Sequence, residues 1–116
     1  MSDSPTAQTR LELISDRTKD AHSRIQQDFK TINPVVGLSR RMREVGFPVD
    51  TITIDCLQTQ RRIIILLNDD TPDTVRYQFA FKDKDPSDEF QLIPFKALTE
   101  QTLYDWMASY FSTESN

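Results

Sequence analysis

Three β-strand patterns follow one another between positions 61 and 95, and they restrict the chain to folds that contain an antiparallel sheet. The patterns cover Arg62–Leu67, Val75–Lys82 and Phe90–Phe95, and Asp-rich loops separate them. Short strands joined by short loops of turn-forming residues are typical of hairpin connections. The sequence therefore predicts three consecutive strands of a β-meander.

A fourth strand pattern precedes these three. Thr51–Gln58 begins with alternating polar and apolar residues, as a strand with one buried face does. Ile63–Leu67 is apolar at every position, which predicts a central strand covered on both sides. The residues expected on the main core face are Ile52, Ile54, Cys56, Val75, Tyr77, Phe79, Phe81, Phe90 and Leu92. The opposite face is expected to hold Leu57, Ile64, Leu66, Ala80 and Ile93, although the parity of the middle strand is left open.

Helical periodicity is present before and after the strands. From a capping box at Thr9 to Ile32, apolar residues recur at spacings of three and four. The same spacing continues from a cap at Thr99 to Phe111. These two segments are therefore predicted to be amphipathic helices.

A second N-terminal helix is predicted over Val35–Val45. Asn33 followed by Pro34 suits a helix cap and first turn, and Gly46 suits the left-handed residue that ends a helix.

Together these patterns predict an α+β fold with two N-terminal helices, a four-stranded antiparallel β-meander and a C-terminal amphipathic helix packed on the sheet. The chain has 116 residues, and we expect one domain over residues 9–112, with flexible ends at 1–8 and 113–116. At the level of fold alone, helices before a four-strand meander resemble the cystatin-like architecture, in which a helix lies on a curved sheet. The resemblance implies no particular activity, because such folds occur in both enzymes and binding proteins.

Composition narrows the class of protein. The formal net charge is -4 and the pI is about 4.9, so the mean field of the chain repels polyanions. No apolar run approaches the ~18 residues of a membrane span, and no membrane partner is expected. The single cysteine, Cys56, cannot form a disulfide within the chain, which favours a cytoplasmic location.

Residues with catalytic chemistry are few. The only histidine, His22, has no recognisable nucleophile or orienting partner in the sequence, and a structural role is the favoured interpretation. Cys56 alternates with inward-facing isoleucines, so a buried, unreactive thiol is expected. We predict no catalytic residue, no cofactor and no metal site.

One basic cluster offers an alternative function. Arg40, Arg41 and Arg43 lie close together in the sequence, and with Arg61 and Arg62 they are candidates for a phosphate-binding patch. The acidic balance of the chain and the absence of aromatic residues around the cluster argue against it. Ion pairs or a solvated helix face are favoured, and nucleic acid is not expected as a partner.

The main hypothesis is a small, non-catalytic, cytoplasmic protein-binding accessory domain of adaptor, chaperone or inhibitor type that forms a homodimer. Its candidate interface residues are Ile64, Leu66, Trp106, Tyr110 and Phe111, although core packing is the default for the last three. One alternative is a nucleic-acid-associated regulator that uses the arginine cluster. Another is a cystatin-like small-ligand binder or enzyme with a pocket between sheet and helices, using Tyr77, Asp55 or His22.

Overall fold

Two long helices and a five-stranded antiparallel sheet make up the fold of the computed structural model, which describes residues 7–29, 32–85 and 89–111. The elements in chain order are α1 (Ala7–Asp28), β1 (Val35–Ser39), α2 (Arg41–Glu44), β2 (Val49–Cys56), β3 (Arg61–Asn68), β4 (Thr74–Phe81), β5 (Gln91–Pro94), a 3-10 turn (Phe95–Ala97) and α3 (Glu100–Phe111). Each strand pairs antiparallel with the next, in the order β1-β2-β3-β4-β5. The predicted α+β class with an antiparallel meander is confirmed, with one strand more than expected.

The predicted helix over Val35–Val45 is wrong. Residues 35–39 form the edge strand β1, and only the four-residue helix α2 follows. Two consecutive valines and then Gly37 are poor helix formers, because branching at Cβ restricts side-chain rotamers and glycine loses backbone entropy. This segment pairs with β2, where Val36 lies opposite Ile54, and the pairing favours a strand over a helix.

The expected helix boundaries have mixed outcomes. Gly46 has a φ of 97°, which confirms the left-handed stop. The Thr99 cap is also confirmed, since the Thr102 amide donates to Thr99 Oγ1 at 3.2 Å. The capping box at Thr9 is wrong, because Thr9 lies inside α1, which is already formed at Ala7. Most of the predicted flexible ends, at 1–6 and 113–116, lies outside the described residues.

One face of the sheet carries the core. Directly opposed residues on neighbouring antiparallel strands share a face, and the register therefore assigns each side chain. Both α1 and α3 pack on the same face, with Ile14 and Met107 fully buried against it. The strand residues on this face are Val36, Leu38, Asp50, Ile52, Ile54, Cys56, Arg61, Ile63, Ile65, Leu67, Val75, Tyr77, Phe79, Phe81, Gln91 and Ile93.

The opposite face of the sheet has neither α1 nor α3 over it and is mostly polar. We call it the helix-free face. Its central residues are Ile64 and Leu66, which are surrounded by Ser39, Thr51, Thr53, Asp55, Arg62, Arg76 and Gln78. A polar rim around a small apolar centre is typical of the solvated side of an antiparallel sheet. The prediction for Leu92 and Ile93 is wrong, because each lies on the face expected for the other. Leu92 lies opposite Arg76 on the polar face, and Ile93 lies opposite Val75 on the core face.

Candidate functional site

Exposed apolar side chains are concentrated on β1 and on the connection that follows it. Ten large apolar side chains are exposed in the part of the chain that the structure describes, and five of them lie between positions 35 and 47. We call this surface the β1–α2 edge; it consists of Val35, Leu38, Met42, Val45 and Phe47. Exposed apolar residues grouped in this way mark interaction surfaces more often than single ones do.

Within the described residues, the outer side of the edge strand β1 is open to pairing. β1 is the first strand of the sheet, and in the described residues no strand lies on its outer side. Its sequence, Val-Val-Gly-Leu-Ser, contains no charge and no proline. The other edge strand, β5, has four residues and ends at Pro94, which lacks an amide proton. Short strands, charges and prolines are the usual means of blocking a sheet edge, and only β5 uses two of them.

A groove runs between α1 and β1. It consists of two adjoining depressions of about 320 and 270 Å³, and Lys19 lines both. Val36 lies in the first with His22, and Leu38 lies in the second with Asp16. The helix thus leaves part of the apolar side of the edge strand uncovered.

The arginines before β2 surround a buried carboxylate. Asp50, whose side chain is 1% exposed, accepts hydrogen bonds from Arg40 Nε at 2.8 Å and from Arg43 Nε at 2.7 Å. Arg43 also donates to Asp69 at 2.9 Å, and Arg10 donates to the same Asp69 carboxylate at 3.1 Å. The network ties α1, the β1–β2 connection and the β3–β4 turn together at one end of the sheet.

The protonation of the two aspartates follows from these contacts. Burial opposes ionisation of Asp50, but the hydrogen bonds from Arg43 and Arg40 outweigh it and hold the pKa of Asp50 below its ordinary value. Hydrogen bonds from Arg43 lower the pKa of Asp69 as well. Both partners raise the pKa of Arg43, so the network is ionised at neutral pH.

The other candidate arginines lie elsewhere. Arg62 donates to Asp55 at 2.6 Å and 2.9 Å on the helix-free face. Arg61 donates to the Tyr110 carbonyl at 2.7 Å, and its guanidinium lies over the Tyr110 ring. Arg41 has an exposed side chain. Arg40 and Arg43 therefore share one network, Arg61 and Arg62 each lie apart from it, and Arg41 is exposed. Ion pairing, the favoured interpretation, holds for Arg40, Arg43 and Arg62.

The aromatic stripe of α3 packs within the chain. Trp106 stacks on Tyr77 with ring centroids 4.3 Å apart, and Tyr110 lies 5.0 Å from Phe79. Phe111 is buried in the core. Phe111 thus has the expected core packing, and the half-buried Trp106 and Tyr110 pack against the core. A role of these three residues in an interface stays a prediction.

Phe79→Ala is expected to cost about 1–2 kcal/mol of unfolding free energy, less than the ~3–5 kcal/mol of a fully buried phenylalanine. Phe79 lies on the predicted core face and contacts Trp106 and Tyr110, but it is 37% exposed. Urea unfolding monitored by Trp106 fluorescence measures the loss, with Phe81→Ala as a control farther along the strand. A cost above ~3 kcal/mol would mean that the ring is covered by something other than these residues.

Ile64 and Leu66 lie together at the centre of the helix-free face, as the register shows. Ile64 is buried and Leu66 is half-buried by their polar neighbours. Their role in an interface stays a prediction.

The residues considered for catalysis have structural partners. His22 Nε2 donates to the carbonyl of Pro34, which anchors the segment before β1 to α1. Cys56 is buried in the core, as expected. In residues 7–29, 32–85 and 89–111, no group of three or more His, Cys, Asp and Glu side chains is placed to hold a metal ion.

The β1–α2 edge is the feature that the helix prediction missed. Val35, Leu38, Met42 and Val45 recur at spacings of three and four, as the inward face of the predicted helix would. The signal that could have revealed a strand is the Val35–Gly37 segment, which combines two β-branched residues that favour strands with a glycine that disfavours a helix.

Comparisons with protein-family models, with curated proteins and with solved structures gave no match. In the described residues, no helix has the length and hydropathy needed to cross a membrane.

Proposed function

We propose that this chain is a non-catalytic, cytoplasmic protein-binding accessory domain, and that it binds another polypeptide along the β1–α2 edge. The observation that supports the proposal is the combination of an unprotected sheet edge with exposed apolar side chains on and beside it. An edge strand offers a row of main-chain donors and acceptors, and side-chain pockets next to it add specificity. The groove between α1 and β1 supplies such pockets.

The other surfaces support a binding function less well. The helix-free face is polar around Ile64 and Leu66, and the aromatic residues of α3 already contact the sheet. The alternative of a phosphate-binding patch requires arginines that can leave their partners, whereas Asp50 and Asp69 hold Arg43 through several hydrogen bonds. No specific observation favours the nucleic-acid or small-ligand alternatives.

Site-specific photocrosslinking tests the proposal. The photoreactive residue benzoylphenylalanine replaces Leu38, and the cells that express this variant are irradiated. We expect a covalent adduct between the variant and another polypeptide. The matched control carries the same residue at Leu92, which is 63% exposed on the opposite edge strand, compared with 51% for Leu38. Absence of adducts at position 38, or equal yields at both positions, would contradict binding at the β1–α2 edge.

A further inference from the structure

We propose that the occupant of this edge is a second copy of the chain, and that β1 pairs antiparallel with the partner's β1 about a two-fold axis at Gly37. The two five-stranded sheets then form one continuous sheet. This inference rests on the proposed function and names its partner.

The sequence of β1 is complementary to itself in this register. The two-fold axis sets Val36 opposite the partner's Leu38, and Leu38 opposite the partner's Val36. Both residues project to the helix side, so four apolar side chains meet in one cluster at the junction. On the other side, Val35 lies opposite the partner's Ser39, and the two glycines meet on the axis. A symmetric pairing therefore has no charge to bury and no bulky residue at its centre.

The charges along the groove are complementary under the same axis. Asp16 lines the depression at Leu38, and His22 lines the depression at Val36, with Lys19 between them. Because the axis sets the Leu38 end of one copy against the Val36 end of the other, Asp16 of one copy faces the end of the second copy that holds His22. Lys19 lines both depressions, so it lies near the middle of each groove, beside the opposed Asp16. In the described part of the chain, neither Asp16 nor Lys19 has an ion-pair partner. Opposed charges of this kind favour the antiparallel arrangement of a second copy.

A second copy also suits the connection beside β1. Met42, Val45 and Phe47 follow the C-terminal end of β1. The two-fold axis brings this end next to Val35 at the start of the partner's β1, so the exposed apolar residues of both segments adjoin. The pairing uses one five-residue strand from each copy, and we expect a dissociation constant on the order of 1–10 µM.

Sedimentation of charged edge variants tests the pairing. The wild-type chain is expected to form a dimer with a mass of twice 13.5 kDa at about 100 µM. In the double variant Val35→Lys/Leu38→Lys, the dissociation constant of the dimer should rise at least about tenfold, because lysines on an edge strand oppose pairing. Leu92→Lys is the control: it places a lysine on the other edge strand, β5, and should leave the dissociation constant of the dimer unchanged. Circular dichroism checks that the variants fold, as substitutions of exposed residues should allow.

A disulfide experiment tests the register independently. In Val35→Cys with Ser39→Cys, each new thiol faces the partner's other thiol, so mild oxidation should give a covalent dimer. The two positions within one chain are about 13 Å apart along the strand, too far for an internal bond. Val35→Cys alone is the control and should not cross-link, because the two copies of position 35 are equally far apart.

The outcomes separate this inference from the proposed function. A monomer at every concentration, an unchanged dissociation constant in the double lysine variant, or no covalent dimer in the double cysteine variant would overturn the β1 pairing. If a monomeric chain still gives adducts with a different polypeptide at position 38, the proposed function stands and the self-association fails. A third outcome would overturn both proposals: position 38 gives no adducts, the chain still forms a dimer, and Leu66→Lys dissociates that dimer. The helix-free face would then be the interface.

Discussion

Asp50→Asn is expected to lower the free energy of unfolding by about 3 kcal/mol at neutral pH. Asp50 is buried and accepts hydrogen bonds from Arg40 and Arg43. A neutral amide cannot balance two guanidinium groups, and its NH₂ group donates where a carboxylate oxygen accepted. Arg43 keeps Asp69 as a partner, which places the expected loss at the lower end for a broken buried pair.

The loss should depend on pH in a defined direction. Because the pKa of Asp50 is lowered in the folded chain, its contribution to stability is present above the ordinary aspartate pKa of about 4 and is lost as the pH falls through the folded value. The difference between wild type and Asp50→Asn should therefore be constant between about pH 6 and 8 and narrow below about pH 4. Urea unfolding at several pH values measures it.

Asp73→Asn is the matched control for this prediction. Asp73 is exposed, so the same change of charge should alter stability by less than about 0.5 kcal/mol. Equal losses at positions 50 and 73, or a loss at position 50 that does not change with pH, would show that the arginine network does not hold Asp50 ionised.

The fold class and most strands are predictable from local pattern. Alternation in 51–56 and 75–81 places strands correctly, because one face of each is buried and the side-chain period is two. The helix α3 is likewise predictable from its cap at Thr99 and its periodic apolar residues. In these segments, local preference and tertiary packing agree.

Other features depend on contacts that local pattern does not contain. Residues 35–39 combine a helical period with poor helix formers, and the pairing with β2 makes them a strand. The faces of β3 cannot be read from five consecutive apolar residues, and pairing with β2 and β4 decides them. The arginine cluster suggested phosphate binding because its partners, Asp50 and Asp69, are 7 and 26 positions from Arg43.

The face assignment of β3 gives the last prediction. Ile65→Ala is expected to cost about 4 kcal/mol, and Ile64→Ala about 2 kcal/mol, although the same atoms are removed from neighbouring positions. Ile65 is fully buried beneath the helices, between Ile52 and Tyr77, so its loss leaves a closed cavity. Ile64 is 6% exposed on the helix-free face, where water can fill the space.

Urea unfolding of both variants at one protein concentration measures this difference, and hydrogen exchange of the β3 amides checks that each variant keeps its sheet. Ile63→Ala, on the same face as Ile65, is the control and should resemble Ile65→Ala. If Ile64→Ala costs as much as Ile65→Ala, the second face must be covered as tightly as the first. The helices of one chain pack on the first face only, so that cover would have to come from another molecule or from residues outside the described part of the chain. The comparison thus tests the layer arrangement on which the choice of β1 as the binding edge depends.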